Sequence, residues 1–106
     1  RVRFNYASED DLQRGIEKVL TDGGVAFERE VILGPRDRID FLVGDLGVEV
    51  KVAGGANDVT RQLQRYLGYE RLGAVVLVTT RSAHRCMPEM LRGKPVSVVF
   101  LQTGLM

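Results

Sequence analysis

Apolar side chains along this chain recur in two alternating rhythms, one helical and one of strands. Leu12, Ile16, Val19 and Leu20 repeat at the spacing of a single helix face. Ser8, with Asp11 three residues on, supplies the capping signal that starts such a helix, and Gly23-Gly24 ends it. Val25 to Leu33 reads as a strand with Val25 and Phe27 turned inward, joined by Val31 and Leu33. Gly34-Pro35-Arg36-Asp37 is a turn, Ile39–Val43 a short strand, Gly44-Asp45-Leu46-Gly47 a second tight turn, and Val48–Val52 the next strand. After the loop Ala53-Gly54-Gly55-Ala56, Asn57 is the expected N-cap of a second helix running to about Leu72 and stopped by Gly73. Ala74–Thr80 is almost continuously apolar, as a central strand covered on both faces must be. Arg81–Gly93 is polar with a short helix expected around Met87–Leu91, Val96–Leu101 forms a last strand, and Gln102–Met106 a loose tail.

The resulting order is α-β-β-β-α-β-(α)-β. Three consecutive strands joined by tight turns, then a helix crossing to a buried strand, predict an α/β (α+β) fold: a mixed β-sheet flanked by helices. A doubly wound parallel fold would lack those hairpins. At 106 residues the chain suits one domain, and folding buries about two-thirds of its surface.

Composition narrows the function classes. A hydrophobic content of 44% and a charged content of 27% suit a globule and argue against disorder. No apolar run approaches the roughly 20 residues of a membrane span. The lone cysteine, Cys86, permits no internal disulfide, and with a single histidine, His84, the chain carries no zinc-ligand set. A reducing, cytoplasmic compartment is therefore the expectation. His84 and Cys86 stand two residues apart with no third orienting group, which does not make a thiol–imidazole dyad. The net charge of +1 does not announce a nucleic-acid binder, although 12 of the 15 basic residues are arginine, the side chain best shaped for phosphate. A start at Arg1 rather than Met suggests a piece of a longer parent protein.

Chemistry concentrates in the middle of the chain. On Val48–Val52, the three valines share one face and Glu49 and Lys51 the other. Taken alone, that is how a solvent-facing ion pair looks. Asp40 changes the picture, because it interrupts the preceding strand where an antiparallel hairpin brings it near Glu49 and Lys51. Two carboxylates held close raise each other's pKa unless a cation lies between them. Asp40, Glu49 and the backbone carbonyl of Val50 would offer hard oxygen ligands of the kind Mg²⁺ favours, with positions left for water and phosphate. Lys51 beside them would orient the attacking water and offset phosphate charge. On the following helix Gln62 and Tyr66 stack at i, i+4, beside the apolar stripe of Val59, Leu63 and Leu67.

In this order Asp40, Glu49-Val50-Lys51, Gln62 and Tyr66 resemble the PD-(D/E)XK nuclease superfamily, and the last two resemble the Gln-x-x-x-Tyr motif of its RecB-type exonuclease branch. The likeness runs from about Ser8 to Thr80. It implies a restriction-endonuclease-like fold and a metal-dependent nuclease acting on DNA. Asp40 and Glu49 would hold Mg²⁺ (or Mn²⁺), Lys51 would serve the nucleophile, and Gln62 and Tyr66 would order the site. Ile39 departs from the family pattern by standing where its name has proline. The family often adds an acid from the first helix. Glu9, in phase with Leu12, Ile16 and Val19, is the expected choice, ahead of Glu17. Arg61 and Arg65 on the second helix, with Arg36 and Arg38 before Asp40, are candidates for gripping a nucleic-acid backbone. So small a scaffold has few loops for reading bases, which predicts structure-directed or weakly specific cleavage of DNA, with RNA also open. The alternative is a catalytically inert nucleic-acid-binding or assembly module on the same fold. An open edge along Val96–Leu101 makes a homodimer a further expectation.

Overall fold

The computed structural model describes residues 8–102. Its elements are α1 (Glu9–Asp22), β1 (Glu28–Gly34), β2 (Asp37–Val43), β3 (Leu46–Lys51), α2 (Ala56–Leu67), β4 (Ala74–Thr79), β5 (Met90–Leu91) and β6 (Lys94–Phe100), with a 3-10 turn over Ser82–Arg85. The strands form one six-stranded mixed sheet in the order β1-β2-β3-β4-β6-β5. β1-β2 and β2-β3 are antiparallel, β3-β4 and β4-β6 are parallel, and β5 folds back antiparallel on β6. This is the α/β (α+β) class that the hairpins and the buried β4 required. No helix among the described residues is long and apolar enough to cross a membrane.

The sheet separates two cores. Leu12 of α1 packs on Phe41, Val48, Val50 and Val78, while α2 lays Val59, Leu63, Tyr66 and Leu67 on Val31, Ile39, Leu42, Val75 and Leu77. Burying each such leucine contributes about 1.5–3 kcal/mol, so both layers are anchored by ordinary hydrophobic packing. Val48 and Val50 lie under α1 and Glu49 faces the other way, as the alternation predicted.

Several boundaries differ from expectation, each for a local reason. Val25 does not start a strand: its N–H returns to the Leu20 carbonyl at 2.9 Å and closes the end of α1, leaving the side chain exposed. Val19 is also exposed, because α1 turns Gln13 and Glu17 toward Arg29 instead. Gly55, in extended conformation, is the N-cap of α2, so Asn57 falls inside the first turn. The helix stops at Gly68, and the chain turns through Tyr69 and Leu72 before β4. The helix expected around Met87–Leu91 is absent. Pro88 disfavours helical backbone at Met87, and Arg92 and Gly93, both at positive φ, make a two-residue hairpin turn between β5 and β6. That hairpin covers the first residues of β6, so only the stretch beyond Pro95 keeps the open outer edge expected of Val96–Leu101.

Candidate functional site

The β2-β3 ladder is regular from Val43↔Leu46 to Phe41↔Val48 and then stops. Beyond that point each strand's acid replaces a ladder bond. The Val50 N–H donates to Asp40 Oδ2 at 2.8 Å, and the Asp40 N–H donates to Glu49 Oε1 at 3.3 Å. The strand alternation reverses at the same level. Phe41 lies under α1 but Ile39, two residues away, lies under α2. On β1, Arg29 sits over the Phe41 ring whereas Val31 joins the α2 core. Glu30, between them, takes a φ of 51°, a left-handed conformation uncommon outside glycine. A paired kink through Glu30 and Asp40 thus opens the sheet and turns Asp40 toward Glu49.

Electrostatics follow from that enclosure. Burial, then the neighbouring Asp40 charge, pushes the Glu49 carboxyl up to about 8, with Lys51 and the Asp40 N–H opposing. Asp40 is raised as well, chiefly by burial and secondarily by the charge of Glu9, while the Val50 N–H, Lys51 and Arg29 pull it down. Lys51 Nζ stands 3.5 Å from Glu49 Oε2. The pair is short of positive charge for two buried acids, and a divalent cation would supply it. The donor set of two carboxylates and a nearby main chain fits a hard cation such as Mg²⁺. Glu9 comes close enough for its charge to act on Asp40, yet no three His, Cys, Asp or Glu side chains among the described residues gather into one metal-binding group.

The second helix closes the site. Gln62 Nε2 donates to Tyr66 Oη at 2.8 Å, and that hydroxyl donates to the Arg38 carbonyl at 3.0 Å. Burial, with Glu49 and Asp40 nearby, raises the Tyr66 hydroxyl above its ordinary pKa, so it keeps its proton and serves as a strut between α2 and β2. Asp40, Glu49, Gln62 and Tyr66 line one cleft of about 460 Å³, with Arg36 and Arg38 on its wall. Lys51 opens on the other side of Gln62, into a hollow of about 330 Å³ shared with Arg61 and Arg65.

The four arginines are not equivalent. Arg36 is exposed and makes no ion pair among the described residues. Arg38 lies 3.5 Å from Glu30, and Arg61 pairs with Asp58 one turn back on α2. Arg65 is not the free surface cation that its spacing suggested, because Asp37 Oδ1 accepts from both its Nε and its Nη2, each at 3.2 Å.

Sequence reading missed two polar clusters. Asp37, read only as a turn residue, is buried and also accepts the Tyr69 hydroxyl at 2.9 Å. His84 is fully buried between Thr79 Oγ1, 2.8 Å from Nδ1, and the Gly54 carbonyl, 2.8 Å from Nε2. The Gly54 carbonyl can only accept, so Nε2–H donates to it, and Nδ1 shares a hydrogen bond with the Thr79 hydroxyl, whose oxygen also accepts the Arg81 N–H. The ring therefore ties the loop after β3 to the end of β4. No periodicity marks either cluster, since both form only across elements. Compared with known proteins, the chain matches no family model, no curated protein and no solved structure.

Proposed function

We propose that this protein is a divalent-metal-dependent nuclease that hydrolyses phosphodiester bonds in DNA. The observation that carries the reading is the acid pair: Asp40 and Glu49, from adjacent strands, each bonded to the other strand's backbone where the ladder breaks, with Lys51 Nζ 3.5 Å from Glu49. The order of these residues with Gln62 and Tyr66 resembles the PD-(D/E)XK nucleases and supports a restriction-endonuclease-like core. Asp40, Glu49 and the Val50 carbonyl would hold Mg²⁺ or Mn²⁺. When bound, such an ion lowers the pKa of a coordinated water and offsets charge on the phosphate.

The chain's own residues have separate parts. Lys51 supplies a positive charge at the acid pair and orients the attacking water by hydrogen bonding. Gln62 links the two clefts and, through Tyr66, is fixed to the Arg38 carbonyl, so the side of α2 nearest the acids is held in place. Arg36 and Arg38 on one wall would contact backbone phosphates without reading bases. Cleavage is accordingly weakly specific or directed by DNA structure, with RNA tested alongside, at an intracellular site of action where Mg²⁺ is at hand.

Purified protein with Mg²⁺ or Mn²⁺ is expected to cut DNA. Asp40→Ala and Lys51→Ala should each lower the rate at least about 100-fold with an unchanged circular dichroism spectrum. Activity persisting in both variants overturns the reading. The rival inert module predicts no cleavage, and no Mn²⁺ binding by calorimetry that Glu49→Ala removes.

A further inference from the structure

Asp37 is a charged side chain only 6% exposed, placed where the β1-β2 turn meets α2. Both its oxygens are committed, Oδ1 to Arg65 and Oδ2 to the Tyr69 hydroxyl. Even the turn is shaped for this contact: a Cβ on Gly34 would collide with the Tyr69 hydroxyl. Arg65, by contrast, remains 56% exposed. Its Nε and Nη2 edge is held from below, which leaves Nη1 and the remaining Nη2 hydrogen facing outward.

That outward edge lies at a junction. Arg65 lines the hollow it shares with Lys51 and Gln62, a second of about 550 Å³ with Pro35, Arg36 and Tyr69, and a third of about 270 Å³ with Arg61 and Arg92. A strand leaving the acid pair on the Lys51 side of Gln62 therefore meets Arg65, which also borders the hollows beyond it. A guanidinium whose plane is set by a carboxylate presents its free N–H groups in fixed directions, which suits a phosphate oxygen better than a freely turning cation. Asp37 thus sets the guanidinium plane while Tyr69, just past the end of α2, fixes the carboxylate itself.

We infer that Arg65 anchors a backbone phosphate of the polynucleotide next to the one held at the acid pair, with Asp37 and Tyr69 as its positioning residues. The inference rests on the nuclease reading for the site it flanks, but it concerns a separate contact and is tested without metal. The probe is a short fluorescein-labelled oligodeoxynucleotide, titrated by anisotropy over a series of salt concentrations in the presence of a chelator. Arg65→Gln should weaken binding about tenfold and reduce the slope of log K against log salt by about one. Asp37→Asn is the decisive variant. It removes a negative charge, so a role for Asp37 as mere local charge predicts tighter binding, whereas positioning predicts weaker binding. Tyr69→Phe, which deletes one hydrogen bond and no charge, should also weaken binding, and it carries the test if Asp37→Asn fails to fold. The inference is overturned if wild-type protein does not bind the probe or if Arg65→Gln keeps wild-type affinity and slope. It is equally overturned if Tyr69→Phe and folded Asp37→Asn shift only the melting temperature. Cleavage by the wild type with Mg²⁺, run in parallel, separates the two ideas: intact cleavage with these outcomes removes the Arg65 anchor alone, and absent cleavage with the expected binding pattern keeps the anchor while removing the nuclease.

Discussion

Two buried polar clusters meet at the same end of the central strands, on residues that are register neighbours. Lys51 of β3 lies opposite Thr79 of β4, so the Glu49–Lys51 side of the acid pair and the Thr79–His84–Gly54 cluster are separated by one strand spacing. They are opposite in kind. In the His84 cluster each ring nitrogen has a neutral partner at 2.8 Å, and the bonds tie loop to strand. In the acid pair two carboxylates share one buried place, both are pushed toward protonation, and only one lysine lies close. A satisfied polar network stabilises the fold it sits in; a pair of under-compensated charges lowers stability and persists where binding restores the balance. The difference separates scaffold from candidate site without appeal to any resemblance.

The largest expected effect tests the frustration itself. In the fold Glu49 keeps its proton up to about pH 8, against 4.5 in the unfolded chain. Its contribution to stability is therefore full below about pH 4.5 and is lost as pH rises through about 8, a change of several kcal/mol. Thermal melts should show a falling melting temperature across that window in the wild type and a flatter profile in Glu49→Gln. Mg²⁺ added at about pH 8 should raise the wild-type melting temperature and leave Glu49→Gln unmoved. A wild-type profile as flat as the variant's would abolish the distinction between the clusters.

His84→Ala comes next. It strands the Thr79 hydroxyl and the Gly54 carbonyl and leaves a cavity, which should cost about 3 kcal/mol in urea unfolding. A loss below about 1 kcal/mol would show that the ring is not the tie described above. The smallest effect sharpens the boundary between the two roles. Tyr66→Phe removes the bond to the Arg38 carbonyl and the acceptor for Gln62 while keeping the buried ring, so stability should fall by only about 1 kcal/mol. Cleavage should fall by a larger factor than that stability loss explains, because Gln62 is released at the acids.

How much of this was legible beforehand varies residue by residue. Val48, Val50, Glu49 and Lys51 sit on the faces that a period of two assigns them, because a paired strand leaves its side chains no other choice. Leu63 and Leu67 are likewise read from helical spacing. Val19 and Val25 were misassigned for a shared reason: hydrophobicity marks candidates for burial, but the pull of Arg29 on Gln13 and Glu17 and the closing turn at Val25 decided which were used. Asp40 was legible as a polar interruption, whereas the reversal of alternation around it was not, since nothing in Ile39-Asp40-Phe41 signals a kink.

Local pattern alone therefore determined the kinds and order of the elements through β4 and the last strand, though not β5, and which short stretch carried the acids. Such features depend on neighbours within one turn of helix or one pleat of strand. Only the tertiary structure decided that Asp40 and Glu49 exchange bonds with each other's strand, that Asp37 captures Arg65, and that His84 braces the loop after β3. Those contacts join residues from 5 to 30 positions apart. Apart from the local turn at Thr79 and His84, their geometry exists only once the sheet has formed and burial has removed water as the competing partner.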